Sequence, residues 1–275
     1  MDHKLKLMVV DDSPLFRTWL IHSLSEDDRF QVVGYAVNAL DAQEKIPLLQ
    51  PDMLTLDIEM PGMSGIDFLK QLLPVHPIPV ILVSSLNLRV FDALEAGAVD
   101  FVRKPDETNG LSKEIFLSML RSKLMVAAAS HVHLPSAPAD PQAGGIRKVS
   151  SLPPARNTFL QKPKIPLGAS PETVIAIGAS TGGTEAILEV VKNFPADTPG
   201  VVITQHMPAG FTAMYAERLN RICKMEVREA KNGDRIRKGL MLLAPGGLQM
   251  RVVPLGNSYA VSVQEGEKVN GHRPS

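Results

Sequence analysis

Ser180 lies in the stretch VIAIGASTGGTEAI, residues 174–187. An apolar run from Val174 to Ile177 has the pattern of a buried strand. It breaks into Gly178, Ala179, Ser180, Thr181, Gly182 and Gly183 before a helical pattern resumes. A strand–turn–helix junction of this kind can cradle a phosphate or expose a nucleophile. A phosphate-binding Walker loop needs a lysine after its glycines. Here Thr184 and Glu185 follow, and Glu185 carries the wrong charge for a polyphosphate. The spacing G-x-G-x-x-G of a dinucleotide fingerprint is missing as well. What remains is G-x-S-x-G, from Gly178 to Gly182, which sets a serine hydroxyl on a sharp turn among small neighbours. Ordinary glycine-rich turns share that pattern, so the serine needs a base before it reads as a nucleophile.

The stretch GVVITQHMPAGF, residues 200–211, supplies one. Gly200 to Thr204 reads as the next strand, and His206 follows its end. Adjacent parallel strands run about 4.8 Å apart, so groups at their carboxyl ends can meet. An isolated histidine would read as structural; paired with Ser180 in this arrangement it reads as a general base. Only 26 positions separate the two, too few for the acid that an α/β-hydrolase carries between serine and histidine. An acid would have to follow His206. The only aspartate that does so is Asp234, in the turn KNGDRI, and its position does not fit that role.

A second set of groups lies in the first half of the chain. Asp11 and Asp12 follow one apolar run, Asp57 ends a second, Ser84 ends a third, and Lys104 with Pro105 ends a fourth. Each alone is an ordinary loop residue. Together they fall at successive strand ends and converge on one sheet edge. Three carboxylates gathered there repel one another unless a cation sits among them. Oxygen ligands of this kind suit a hard divalent ion, Mg²⁺ above all. A lysine and a hydroxyl beside them can bind phosphoryl oxygens.

The elements that must position these groups alternate along the chain. KLKLMVV, FQVVGYA, DMLTLDI, PVILVSS and VDFVRK read as strands, separated by helical patterns such as PLFRTWLIHSLS, SGIDFLKQLL and RVFDALEAGA. Continuous apolar runs predict strands covered by helices on both faces. Five such units make a doubly wound parallel sheet with its functional groups at the carboxyl ends. Residues 130–171 hold 8 of the 22 prolines and no apolar period, which predicts a semi-rigid linker. Its His131 and His133 have no third ligand nearby and read as solvated. The expected division is a first domain over 1–123, a linker over 124–170 and a second α/β domain over 171–275. The single cysteine, Cys223, excludes an internal disulfide, which fits a reducing cytoplasm. No apolar run approaches the ~20 residues of a membrane span, and the N-terminus has no signal-peptide pattern.

Over residues 5–123, VVDDSPLFR, LDIEMPGMSGIDFL, VSSL and FVRKP resemble the response-regulator receiver domain. The resemblance implies that Asp57 accepts a phosphoryl group from a sensor histidine kinase. It implies that Asp11 and Asp12, with Asp57, hold Mg²⁺, that Ser84 contacts the phosphoryl group and that Lys104 pairs with it. Phe101 matches the aromatic switch position; from the residues alone it reads as core. AIGASTGGTEAI, QHMPAGFTAMYAERLN, GDRIRKGLMLLAPGG and HRPS resemble the CheB-type chemotaxis methylesterase family, with the same order of receiver, linker and catalytic domain. That likeness implies a Rossmann-like, incomplete parallel-sheet methylesterase domain. It implies hydrolysis of glutamate methyl esters and deamidation of glutamines on chemoreceptors, without a cofactor for that reaction. Ser180 would be the nucleophile and His206 the base, with Thr181 shaping the oxyanion site. The expected partners are a chemotaxis histidine kinase and methyl-accepting chemoreceptors, with no membrane insertion and a cytoplasmic location.

Two departures from the family stand out. Gln249 occupies a position where the family commonly has histidine. The family also continues beyond HRPS to a GMG-x-DGA segment whose aspartate orients the catalytic histidine, so this chain, ending at Ser275, is expected to lack that aspartate and to be a defective esterase. The competing reading is a catalytically inactive phosphoacceptor or interaction protein. Charge and pattern disfavour a DNA-binding regulator: residues 171–275 hold 12 basic and 10 acidic side chains, with no basic stripe and no helix-turn-helix pattern.

Overall fold

The computed structural model describes residues 4–85, 89–105, 112–129 and 173–275. The proline-rich stretch with His131 and His133 lies outside the described residues.

The first domain alternates β1 (Leu5–Val10), α1 (Pro14–Ser25), β2 (Phe30–Ala36), α2 (Ala39–Leu49), β3 (Met53–Leu56), α3 (Gly65–Leu72), β4 (Val80–Ser84), α4 (Val90–Glu95), β5 (Asp100–Arg103) and α5 (Lys113–Ala128). The strands form one parallel sheet in the order β2-β1-β3-β4-β5. Side chains alternate across it. Met8, Val10, Leu54 and Leu56 face one core with Ile66, Phe68 and Leu69 of α3. Leu7, Val9, Met53 and Ile81 face the other with Leu20, Leu24, Phe116 and Leu120. This double burial is why the strands read as continuous apolar runs. Several helix starts are capped by short polar side chains: Asn38 Oδ1 accepts from the Asp41 N–H at 2.9 Å and Ser64 Oγ from the Asp67 N–H at 3.2 Å. Helix α5 runs to Ala128, past residue 123, where the first domain was expected to end.

The second domain contains β6 (Ile175–Ala179), α6 (Gly183–Val191), β7 (Val201–Gln205), α7 (Phe211–Ile222), β8 (Glu226–Glu229), β9 (Arg235–Ile236), β10 (Leu240–Leu243), β11 (Gln249–Leu255) and β12 (Ser258–Gln264). A parallel sheet runs in the order β6-β7-β10-β8. A second sheet, β11-β12-β9, is antiparallel. Its signal is local: Leu255 pairs with Ser258 across Gly256 and Asn257, and Gly256 has φ 59°, as a tight hairpin turn requires.

The two domains share apolar contacts. Phe91 of α4 stacks on Tyr215 of α7 at 5.6 Å and 14°, and Phe101 of β5 meets Phe211. Beside them Arg218 pairs with Glu185 at 2.6 Å and reaches Glu95 of α4 at 3.5 Å. None of the helices among the described residues is long and apolar enough to cross a membrane.

Candidate active site

Two constellations form, one at the carboxyl edge of each parallel sheet. In the first domain the edge is tied together by backbone: Asp57 N–H donates to Val10 O at 2.9 Å and Lys104 N–H to Ser84 O at 2.8 Å. These bonds help bring Asp11, Asp12, Asp57, Ser84 and Lys104 to one sheet edge. Oxygens of Asp11, Asp12 and Asp57 lie within 4.8 Å of one another. Lys104 Nζ stands 2.5 Å from Asp57 Oδ2 and 2.8 Å from Asp11 Oδ2. Burial pushes the Asp57 carboxyl above the usual carboxylate range; Lys104 pulls it down and Asp11 adds to the rise. Burial opposes the Lys104 ammonium, yet Asp57 and Asp11 outweigh it and hold its pKa above the ordinary lysine value.

The residues fit a divalent cation and a phosphoryl group. Three carboxylate oxygens converge, and Ser84 Oγ is buried without a hydrogen-bond partner among the described residues. A phosphoryl oxygen would give it one. The turn beneath is tight: a Cβ on Gly65 would stand 2.3 Å from Asp57 O.

In the second domain β6 and β7 are neighbours, with Ala179 paired to Gln205. Ser180 and His206 are therefore the first residues past two adjacent strand ends. His206 N–H donates to Ala179 O at 3.2 Å, fixing that juxtaposition. Ser180 Oγ lies 3.1 Å from His206 Nδ1. Gly182 has φ 73°, the left-handed conformation that lets the chain turn sharply from β6 into α6. Thr181 sits half-buried on that turn. The His206 pKa is depressed, by burial first and then by electrostatic interaction with His272 and Lys123, which favours the neutral imidazole.

Sequence reasoning missed His272. Its ring lies face to face with His206, 3.9 Å between centroids and 6° between planes. His272 lies in the HRPS segment at residues 272–275. Gln249 helps hold that segment: its Nε2 donates to Glu267 O at 2.9 Å and His272 O at 3.4 Å, while its Oε1 accepts from the Ser275 N–H at 2.9 Å. Asp234 is occupied elsewhere, paired with Arg228 at 2.5 Å and accepting the Lys231 N–H at 2.7 Å. Among the described residues no hydrogen bond joins His206 to a carboxylate.

Comparison with known proteins matches each half of the chain to a family model. The family model for CheB methylesterase matches residues 175–275, and that for the response regulator receiver domain matches residues 7–116. The protein-glutamate methylesterase/protein-glutamine glutaminase 2 of Syntrophomonas wolfei is 47% identical over 99% of this chain and 74% of its own length. The protein-glutamate methylesterase/protein-glutamine glutaminase of Syntrophotalea carbinolica is 47% identical over 100% of this chain and 75% of its own. The solved response regulator domain of Thermotoga maritima CheB is 36% identical, covering 46% of this chain and 98% of that one at a TM-score of 0.44.

Proposed function

The chain belongs to the protein-glutamate methylesterase/protein-glutamine glutaminase family, and from that premise we propose that Ser180 and His206 hydrolyse glutamate methyl esters and glutamine amides of chemoreceptors under the control of Asp57 phosphorylation. The observation that carries the reading is the 3.1 Å approach of Ser180 Oγ to His206 Nδ1 at paired strand ends. Nδ1 faces the hydroxyl, so the tautomer with its proton on Nε2 is the one that can accept the serine proton. Ser180 Oγ attacks the side-chain carbonyl while His206 takes its proton. His206 returns that proton to the departing methoxide, releasing methanol, or to the amide nitrogen, releasing ammonia. Water then attacks the glutamyl-serine ester with His206 again as base. Glutamate leaves and the Ser180 hydroxyl is restored.

In the receiver, Asp57 is the phosphoacceptor, and a sensor histidine kinase is the donor its chemistry calls for. Asp11, Asp12 and Asp57 would hold Mg²⁺, which when bound supplies positive charge against the phosphoryl oxygens. Ser84 Oγ and Lys104 Nζ give those oxygens a hydroxyl and an ammonium. Residues 1–123 with the rest of α5 form this receiver, 171–275 form the esterase domain, and the proline-rich stretch joins them. The packing of Phe91 and Phe101 on Tyr215 and Phe211 supports a receiver that restrains the esterase domain until Asp57 is phosphorylated.

Replacing His206→Gln tests the assignment. Methanol release from methylated chemoreceptors should be lost while Asp57 still takes phosphate from acetyl phosphate and Mg²⁺. Undiminished methanol release would remove His206 from the reaction.

A further inference from the structure

We propose that Gln205 is the positioning residue of the esterase site, its side-chain amide holding the Ser180–Thr181 peptide so that the Thr181 N–H faces the developing oxyanion. The inference rests on Ser180 and His206 acting as proposed above.

Gln205 is the last residue of β7 and is 2% exposed. Its Nε2 donates to Ser180 O at 2.8 Å and to His206 O at 3.4 Å. One side chain thus ties the backbone of the nucleophile to that of the base. The Gly183 N–H also donates to Ser180 O, at 2.8 Å. With two donors converging on it, that carbonyl has little freedom to rotate. A peptide unit is planar, and in the trans form its N–H points opposite to its C=O. The only cis bond among the described residues is Arg273–Pro274. Fixing Ser180 C=O therefore fixes the Thr181 N–H. On a nucleophile turn, the N–H of the residue after the nucleophile is an oxyanion donor. Such donors act by preorganisation, so a few tens of degrees of peptide rotation would weaken catalysis without weakening substrate binding.

Two further observations single out the amide. A Cβ on Gly183 would stand 2.1 Å from Gln205 Oε1 and 2.6 Å from Ala179 Cβ. Gly183 does not have a positive φ, so the close approach of Gln205 and Ala179, not backbone conformation, calls for glycine there. In addition, Gln205 Oε1 is buried without a hydrogen-bond partner among the described residues. An apolar side chain of the same length would avoid that cost. Stability alone therefore does not account for a glutamine here, whereas the donor end of the amide does. Gln205 bonds to backbone carbonyls, not to the serine hydroxyl, so its effect passes through the peptide it holds.

The test uses the full chain and a fluorophosphonate, which needs a serine nucleophile, a base and oxyanion donors. Saturation kinetics separate reversible binding of the probe from phosphonylation of Ser180. In Gln205→Met the phosphonylation rate should fall by about 10- to 100-fold, somewhat less than the loss of a whole donor. Reversible binding should stay within about threefold, and the pH midpoint of the rate should not move. The fraction of protein labelled at completion should remain full. Gly183→Ala, which pushes on Gln205 Oε1 from the other side, should show the same rate-only defect and decides the matter if Gln205→Met does not fold. A Gln205→Met rate within about threefold of the unsubstituted chain overturns the proposal. So does a reduced labelled fraction at an unchanged rate, or failure of both variants to fold, since each makes Gln205 merely structural. An unsubstituted chain that is not labelled, or Ser180→Ala labelled equally well, instead overturns the assignment of Ser180 and the proposal with it.

Discussion

The Phe101 ring packs against the Phe211 ring with 4.6 Å between centroids and 34° between planes. Phe101 lies on β5, three residues before Lys104; Phe211 begins α7, five residues after His206. One contact therefore joins the sheet edge that carries Asp57 and Lys104 to the helix that follows His206. An aromatic pair contributes about 0.5–1.5 kcal/mol beyond its buried area, enough to shift a docking equilibrium about 2- to 10-fold. Phe101→Leu should raise methanol release by the unphosphorylated chain by a factor of that size. It should also bring the ratio of rates with and without acetyl phosphate toward one. An unchanged ratio would separate this ring pair from regulation.

Lys104 stands between two buried carboxylates, Asp11 and Asp57. Removing one partner of a buried ion pair costs about 3–5 kcal/mol, because the other charge stays buried. Lys104→Met should lower the melting temperature of the receiver markedly, and added Mg²⁺ should recover part of the loss. A melting curve insensitive both to the substitution and to Mg²⁺ would contradict this electrostatic account.

The groups facing His206 predict a pH effect. Burial, His272 of the HRPS segment and Lys123 of α5 all depress its pKa, while Ser180 faces it as the hydroxyl to be activated. The neutral imidazole is the active form, so the Ser180 phosphonylation rate should rise with pH through a midpoint below the ordinary histidine value of about 6.5. Removing a positive neighbour favours the imidazolium. Lys123→Gln and His272→Phe should each move the midpoint upward, with His272→Phe keeping a ring against His206. A downward shift in either variant would contradict the assigned cause.

Gly65 backs Asp57. A Cβ there would stand 2.3 Å from Asp57 O and 3.0 Å from Ile58 Cα, both backbone atoms that cannot swing aside. Gly65→Ala should cost about 1–3 kcal/mol, as overpacking does, and slow phosphorylation of Asp57 by acetyl phosphate. A variant with unchanged melting and unchanged phosphorylation would show that the turn relaxes freely.

Much of this arrangement was legible in the chain itself. Asp11, Asp57, Ser84 and Lys104 each follow an apolar run, and a parallel sheet must carry such residues to one edge. Ser180 and His206 were legible for the same reason, because β6 and β7 pair directly. The alternation and tight turn of QMRVVPLGNSYAVSVQ could have revealed the hairpin of β11 and β12, but the surrounding parallel pattern dominated. His272 was not legible. It reaches His206 through a turn held by Gln249, and nothing in the local spacing of HRPS specifies that approach. Phe101 reads as core from its neighbours alone, and it is 3% exposed. That part of its cover is Phe211 depends on how two separate sheets dock, which no short-range pattern encodes. Gln205 looked like one more polar residue at a strand end, because its role lies in two backbone carbonyls brought together only by the fold.

The most direct test of the central claim incubates the chain with a methyl-esterified chemoreceptor, measures released methanol, and follows the Ser180 peptide by mass spectrometry. The account predicts methanol from the unsubstituted chain together with a transient glutamyl adduct on Ser180. In Ser180→Ala the adduct should be absent and methanol release should fall to the rate seen without protein. Methanol release by Ser180→Ala equal to that of the unsubstituted chain, or an adduct on another residue, would contradict it.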